Sequence, residues 1–181
     1  MCIVIDANTL SCVFIDSNDD HPKFIPVHDW IIKGKGKMVI GGSKYRKEFE
    51  AVTKLNRLMA ELSKINKIRD IDSKLVDSKE KELCDKVTHR DFDNQHIVAI
   101  VIISGVHLIC TKEKQAIPFL TRNAFYPGRS VPKIYSSSTN ADLLVNNKYC
   151  RKCKITCIKT TKDISSHLES TKEKITKKNR K

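Results

Sequence analysis

Short apolar runs alternate along this chain with longer segments of helical periodicity, and this alternation limits the fold more than any other feature of the sequence. Runs with the length and composition of strands occupy residues 2–5, 37–42, 67–71, 106–111 and 133–136. Helix-like segments lie between them, within residues 23–37, 43–66, 73–87, 91–104 and 113–120. This order predicts a three-layer αβα fold of the α/β class, in which helices cover both faces of a central, mostly parallel sheet.

The clearest helical pattern runs from residue 43 to residue 66. Its apolar residues recur at steps of three and four: Tyr45, Phe49, Val52, Leu55, Leu58, Met59, Leu62 and Ile65. The pattern predicts one long helix. A later helix is expected to be capped by Asp91 or Asp93 and to end at Gly105.

Charge divides the chain into two parts. The chain has 181 residues, 40% of them hydrophobic, which suits one domain with a full core. Of the net charge of +13, residues 147–181 supply +9, from 12 Lys and Arg against 3 Asp and Glu. We therefore predict a domain over residues 1–146 and a basic, cysteine-containing, partly disordered tail over residues 147–181. The positive charge favours nucleic acid as a partner, with an anionic membrane surface second.

Several features favour a cytoplasmic protein without a membrane partner. No apolar stretch reaches the roughly 18 residues that a membrane span needs, and the first residues lack the basic region of a signal peptide. Cys2, Cys12, Cys84 and Cys110 stand singly in apolar or helical surroundings, which suits reduced thiols.

Acidic residues occur where a parallel sheet places functional sites. Asp6 follows the first predicted strand directly, and Thr111 and Glu113 follow the fourth. In open α/β sheets, sites form outside the carboxyl ends of strands. Each acid also has a simpler explanation, as a strand end, a helix cap or a charge favoured by the helix dipole. On the predicted long helix, Glu48 lies at the edge of the apolar stripe and can face a cleft. Glu50, on the other side of Phe49, is expected to face solvent.

Taken in order, these segments resemble a PIN domain, a metal-dependent nuclease fold, over about residues 1–145. The resemblance rests on Asp6 with Asn8 two residues later, on Tyr45-x-x-Glu48, and on the continuous "DNQHIVAIVIISGVHLICTKE" that ends at Glu113. This last stretch is similar to the family's acid, helix, Ser-Gly, strand and Thr-x-acid segment.

The resemblance implies a nuclease that cleaves phosphodiesters, most often in single-stranded RNA. It implies that Mg²⁺ or Mn²⁺ is held by four catalytic acids: Asp6, Glu48, Asp93 and Glu113. These are hard oxygen ligands of the kind that such ions prefer. Supporting polar groups are expected at Asn8, Asp91, Asn94 and Thr111. Lys44, Arg46 and Lys47, beside Glu48, are expected to contact the nucleic-acid backbone.

Two departures from the family pattern leave other functions open. Asn94 stands where the family usually has an acid, and Glu113 stands where Asp is more frequent. The alternatives are a PIN-like nucleic-acid-binding module without catalysis and a protein-interaction scaffold. The family's members include toxins and often dimerise, so an antitoxin-like protein and a second copy of the chain are further candidate partners. In the tail, Cys150, Cys153, Cys157 and His167 form either a structural Zn²⁺ site or a set of free thiols.

Overall fold

A computed structural model describes residues 1–86, 92–128 and 131–145, together with Ser170, and shows a five-stranded, all-parallel sheet. Its strands are β1 (Cys2–Ile5), β2 (Lys37–Ile40), β3 (Ile68–Asp70), β4 (Leu108–Cys110) and β5 (Lys133–Tyr135). All five lie within the runs that the sequence predicts as strands. The predicted α/β fold with a parallel sheet is therefore confirmed.

Seven α-helices are found within the described residues. They are α1 (Leu10–Phe14), α2 (His21–Ile32), α3 (Ser43–Ala51), α4 (Asn56–Lys64), α5 (Ser73–Lys86), α6 (Gln95–Ser104) and α7 (Ile117–Leu120). Short 3₁₀ segments cover Ala7–Thr9, Thr53–Leu55, Asn123–Phe125 and Ser138–Leu144. Helix α1 was not predicted, because five residues are too few to show a helical period.

The strand order β3-β2-β1-β4-β5 places β1 in the middle of the sheet. From β1 the chain moves outward through β2 to β3, and it then crosses to β4 and β5 on the other side. Right-handed crossovers in two opposite directions put the connecting helices on opposite faces, which is consistent with three αβα layers. The direction of winding changes between β1 and β4, and such a switch point leaves a crevice at the carboxyl ends of the two strands.

The centre of the sheet is apolar on both faces. All residues of β1, β2 and β4 are buried, and so are most residues of α6, which packs against α5, β1 and β2. Parallel sheets covered on both sides require such continuous apolar strands. Burial of each large aliphatic side chain contributes about 1.5–3 kcal/mol, so this core fixes the positions of the loops at its edge.

The prediction of one helix over residues 43–66 is wrong. The chain leaves helical geometry at Val52 (φ −81°, ψ 60°) and turns through Thr53–Leu55 before α4 begins. The break falls at two consecutive β-branched residues, which have reduced helix propensity. Apolar spacing stays at three and four residues across the break, so periodicity alone does not reveal it.

Helix α6 begins later than predicted. Asn94, not Asp91 or Asp93, is its N-cap residue, and no side-chain capping hydrogen bond is made there. Asp93 precedes the cap, while Asp91 lies outside the described residues. The predicted end is confirmed, because Gly105 adopts the left-handed conformation (φ 68°) typical of the residue that follows a helix.

Long-range contacts rather than local sequence fix the start of α3. Gly42 has φ 81°, and a Cβ there would lie 2.6 Å from Val76 Cγ1, so glycine is required by both conformation and space. Asp77 on α5 accepts hydrogen bonds from the Ser43 backbone N–H (2.7 Å) and hydroxyl (2.6 Å). Tyr45 is fully buried and donates its hydroxyl to the carbonyl of Ile5 at 2.5 Å. Helix α3 is thereby anchored to α5 and to the end of β1.

Other predictions have mixed outcomes. Within the described residues no helix is long and apolar enough to cross a membrane. Cys12, Cys84 and Cys110 are free thiols, whereas Cys2 is disulfide-bonded, contrary to the expected reduced state. The domain boundary at residue 146 and the tail cysteines with His167 lie outside the described residues.

Replacing Tyr45 with Phe tests the anchor between α3 and β1. We expect Tyr45→Phe to lower the free energy of unfolding by about 1–2 kcal/mol, because the buried carbonyl of Ile5 loses a donor. Urea denaturation of the variant and the parent chain measures this change.

Tyr126→Phe is the matched comparison, since Tyr126 is also buried and donates to a carbonyl, that of Leu120, at 2.7 Å. We expect both variants to lose stability. Amide exchange near Asp6 should become faster in Tyr45→Phe alone. An unchanged free energy in Tyr45→Phe would contradict the anchoring role.

Candidate functional site

The Asp6 carboxylate lies at the carboxyl end of the central strand and is almost fully buried, with 1% of the residue exposed. Its Oδ2 accepts a hydrogen bond from the Thr111 hydroxyl at 2.7 Å, and its Oδ1 accepts one from the Asn8 backbone N–H at 3.2 Å. Asp6 also caps the 3₁₀ turn that follows β1. The carboxylate is therefore held in one orientation from both strands that border the switch point.

Glu113 is joined to Asp6 through the same residues. The Thr111 hydroxyl oxygen accepts from the Glu113 backbone N–H at 3.0 Å, and the Asn8 side-chain amide donates to Glu113 Oε1 at 2.8 Å. We call Asp6 and Glu113 the carboxylate pair. Four residues that the sequence predicts for the site, Asp6, Asn8, Thr111 and Glu113, thus form one hydrogen-bonded network.

The pair is electrostatically unfavourable as two anions. Burial raises the pKa of Asp6 above its ordinary value, and the negative charge of Glu113 raises it further. The hydrogen bonds from Thr111 and Asn8 oppose this shift, as does the nearby His96. A proton or a cation beside Asp6 would relieve the strain of two like charges in a poorly hydrated place.

Glu48 contacts a buried histidine, His96, that also acts on Asp6. His96 Nε2 lies 3.2 Å from Glu48 Oε2, and the histidine side chain is 1% exposed, against 37% for the glutamate. The His96 ring is poorly aligned for a hydrogen bond, but its 3.2 Å contact is still the largest favourable influence on the Glu48 carboxylate. Interaction with His96 lowers the pKa of Glu48, Lys44 acts in the same direction, and partial burial opposes both.

The sequence reasoning missed Glu80 and His96 as members of this environment. Burial raises the pKa of Glu80, with smaller influences from His96, Lys44, Asp77 and Glu48. Glu80 is half-buried on α5, between the buried Val76 and Leu83. A signal was present, because Val76, Glu80 and Leu83 follow the i, i+4, i+7 spacing of a core-facing stripe. A carboxylate in such a stripe indicates a polar pocket beneath the helix.

Asp93 and Asn94 line a cleft beside the carboxylate pair rather than joining it. The cleft has a volume of about 630 Å³ and is bordered by Asp93, Asn94, Lys112, Glu113, Lys114, Gln115 and Ala116. Asp93 is exposed and Asn94 is buried. Glu113 belongs both to the cleft and to the Asp6 network, so the buried pair opens to solvent through this cleft.

Two of the three predicted backbone-contacting residues have partners inside the fold. The Lys44 ammonium donates to the backbone carbonyl of Asp93. Arg46 donates to Asp70 and, at 3.0 Å, to the Ser73 hydroxyl. Lys47 is exposed, as is Glu50, which was assigned to solvent. Lys44 and Arg46 therefore have structural roles in this conformation.

The structure brings together two of the four predicted metal ligands. In the described part of the chain, no three His, Cys, Asp or Glu side chains are grouped so as to hold one metal ion. Mg²⁺, however, is commonly bound through one or two carboxylates and keeps several waters. Asp6 and Glu113 fit that requirement, with oxygen donors and a charge that an ion would neutralise. Glu48, engaged by His96, and the exposed Asp93 lie outside the pair.

No family model, curated protein or solved structure matches this chain.

The buried charge of Asp6 should give stability a distinctive pH dependence in the absence of metal. Because the folded pKa is raised above 3.8, the folded chain retains a proton that the unfolded chain has released. The free energy of unfolding therefore falls as pH rises from the unfolded pKa through the folded pKa. We expect Asp6→Asn to lack this fall, so that its stability relative to the parent increases over that interval and is constant above it.

Urea denaturation in EDTA from about pH 4 to about pH 8 measures this difference. A constant offset from altered hydrogen bonding to Asn8 does not affect the slope. Glu50→Gln, at an exposed position on α3, serves as the comparison. If the difference in the free energy of unfolding between Asp6→Asn and the parent stays constant across this range, the pKa of Asp6 is not raised in the folded chain.

Replacing His96 tests its hold on Glu48. We expect His96→Leu to raise the pKa of Glu48, since the main favourable partner of the carboxylate is removed while its partial burial remains. Side-chain carboxyl NMR titration in EDTA measures the shift, with Glu50 as the internal reference. An unchanged Glu48 pKa would mean that the two side chains do not interact in solution.

Proposed function

We propose that this protein is a divalent-metal-dependent nuclease that hydrolyses phosphodiester bonds, with single-stranded RNA as the expected substrate. The observation that carries the proposal is the carboxylate pair, a buried Asp6 coupled to Glu113 at the switch point of a parallel sheet. The resemblance to PIN domains adds the choice of RNA. The net charge of +13 supports a polyanionic substrate.

Asp6 and Glu113 would hold Mg²⁺ or Mn²⁺ at the inner end of the cleft. Such an ion lowers the pKa of a bound water and neutralises charge that builds up on a phosphate. Thr111 and Asn8 keep the two carboxylates in place, so little reorganisation accompanies binding. Glu48 is a further acid of this region, and its contact with His96 lowers the pKa of its carboxyl group. Asp93 is exposed in the lining of the cleft, where it would meet the substrate.

A specific observation supports the second candidate function, a nucleic-acid-binding module without catalysis. Asn94, at the position where PIN domains usually have an acid, is buried beside the cleft and supplies no charge. Asp93, the preceding residue, is exposed. Among the described residues, the hydrogen-bonded network of the site therefore contains two acids, Asp6 and Glu113. Binding would persist in such a module while cleavage would not.

Cleavage assays separate the two functions. Labelled single-stranded RNA and DNA are incubated with the parent chain in Mn²⁺, Mg²⁺ or EDTA, and with Asp6→Asn and Glu113→Gln. We expect metal-dependent cleavage of RNA, reduced by at least about 100-fold in Asp6→Asn because a group stabilising the transition state is lost. Glu50→Gln, a carboxylate removed from the solvent face of α3, should leave the rate unchanged.

A thermal shift in the same buffers tests metal binding independently of catalysis. An ion at 100 times its dissociation constant stabilises the fold by about 2.7 kcal/mol, and Asp6→Asn should abolish that gain. Stabilisation by metal without cleavage would favour the binding module. Cleavage that persists in Asp6→Asn would overturn the proposed active site.

A further inference from the structure

Two lysines flank Glu113 at the cleft, and within the described residues neither ammonium group makes an ion pair or a hydrogen bond. Lys112 and Lys114 are both exposed and both line the cleft. Lys112 lowers the pKa of Asp20 only as a minor influence, since Asp20 is already paired with Lys23 at 2.7 Å. Their charge is therefore available to a ligand in the cleft.

The backbone beneath these lysines is firmly held. The Lys112 N–H donates to the Thr9 hydroxyl at 3.0 Å, and the Ile117 N–H donates to the carbonyl of Lys114 at 3.3 Å. Between them, Glu113 is fixed by Thr111 and Asn8. The two flexible side chains thus start from fixed points that precede and follow Glu113 in the chain, and both line the cleft to which Glu113 belongs.

Two of the three basic residues predicted from sequence are less suited to this role. Lys44 and Arg46 donate to groups of the fold, and freeing either would cost the hydrogen bonds it makes. Lys112 and Lys114 have no such cost. The sequence alone could not show that Lys44 and Arg46 have partners within the described residues while Lys112 and Lys114 do not, because the partners of Lys44 and Arg46 lie in distant segments.

We infer that Lys112 and Lys114 form a phosphate clamp, which binds the backbone of single-stranded nucleic acid on both sides of the carboxylate pair. Within the part of the chain that the structure describes, no aromatic residue lines the cleft. Bases therefore have no stacking surface there, and the clamp reads the backbone rather than the sequence. Lys112 and Lys114 would bind the substrate of the proposed nuclease, so the inference rests on the proposed function.

Charge balance makes the clamp dependent on a divalent cation. The formal charges of Lys112 and Lys114 are cancelled by Asp93 and Glu113 across the same cleft. Both carboxylates repel a phosphate that approaches the clamp, and an ion held by the carboxylate pair would remove the share of this repulsion that comes from Glu113. Mg²⁺ should therefore strengthen binding through the clamp, in addition to any role in catalysis.

Fluorescence anisotropy with a labelled single-stranded RNA of mixed sequence tests the clamp. The full chain carrying Asp6→Asn prevents cleavage, and the double substitution Lys112→Gln with Lys114→Gln is added to it. The matched control adds Lys35→Gln with Lys133→Gln, two exposed lysines near the amino ends of β2 and β5 on the opposite edge of the sheet. Both doubles lose the same net charge.

We expect the clamp double to weaken RNA binding about tenfold near 0.1 M salt and to reduce the slope of log K against log salt by about 1.4, that is about 0.7 for each lost phosphate contact. The control double should leave the slope unchanged. Equal effects of the two doubles would overturn the clamp, because only net charge would then matter. Unfolding midpoints of both doubles should match the parent, since all four lysines are exposed.

The dependence on Mg²⁺ is measured in a chain that retains Asp6, with and without the double substitution Lys112→Gln and Lys114→Gln. Labelled single-stranded DNA of the same sequence is a further probe. Mg²⁺ should strengthen binding by the Asp6 chain more than by its clamp double, and an equal response would overturn the coupling.

The cleavage assay keeps the clamp and the proposed function separable. Metal-dependent cleavage with an unchanged KM in the clamp double would overturn the clamp and leave the nuclease. Absence of cleavage, with binding weakened only by the clamp double, would overturn the nuclease and support the clamp.

Discussion

A buried carboxylate at the centre of a parallel sheet governs the arrangement of this site. An ionised carboxyl group cannot be withdrawn from water without partners, and Asp6 obtains them from Thr111 and Asn8. The register that pairs Ile5 with Cys110 places Asp6 beside Thr111. A slip of one residue would turn Thr111 to the other face of the sheet. The pairing of β1 with β4 therefore determines the orientation of the carboxylate and, through Asn8 and Thr111, that of Glu113.

A second polar feature, the buried His96, connects the helices to this centre. Its two ring nitrogens are buried without well-directed hydrogen bonds, and an unmade bond of this kind costs about 1–3 kcal/mol. Such groups in a folded protein need a reason, and functional sites are where they are commonly found. The nearby carboxylates of Glu48, Glu80 and Asp6 supply one. His96 thus lies where the fold has brought several acids together.

The sequence predicted those features that follow from chain order and missed those that depend on distant contacts. Asp6 and Glu113 were found because each follows a strand directly, and parallel strands bring their carboxyl ends together. The turn at Val52 was missed because it preserves the apolar spacing. Lys44 and Arg46 were assigned to a ligand because they lie beside Glu48 in the chain. Their partners within the fold, the Asp93 carbonyl and Asp70, are remote in sequence and were not foreseen. Glu80 could have been noticed as a charged residue in the apolar stripe of α5. Its surroundings became clear only from the packing of that helix.

The distribution of charge separates attraction to nucleic acid from its positioning. The chain as a whole carries +13, which draws a polyanion from a distance without placing any phosphate. At the cleft, Asp93 and Glu113 offset the two lysines, so long-range attraction alone does not bring a phosphate to the carboxylate pair. Under the proposed function, a cation would supply the local neutralisation, and substrate position would then depend on metal binding. A protein arranged in this way can retain general affinity for nucleic acid after its site is lost, and general affinity is therefore a poor measure of the site.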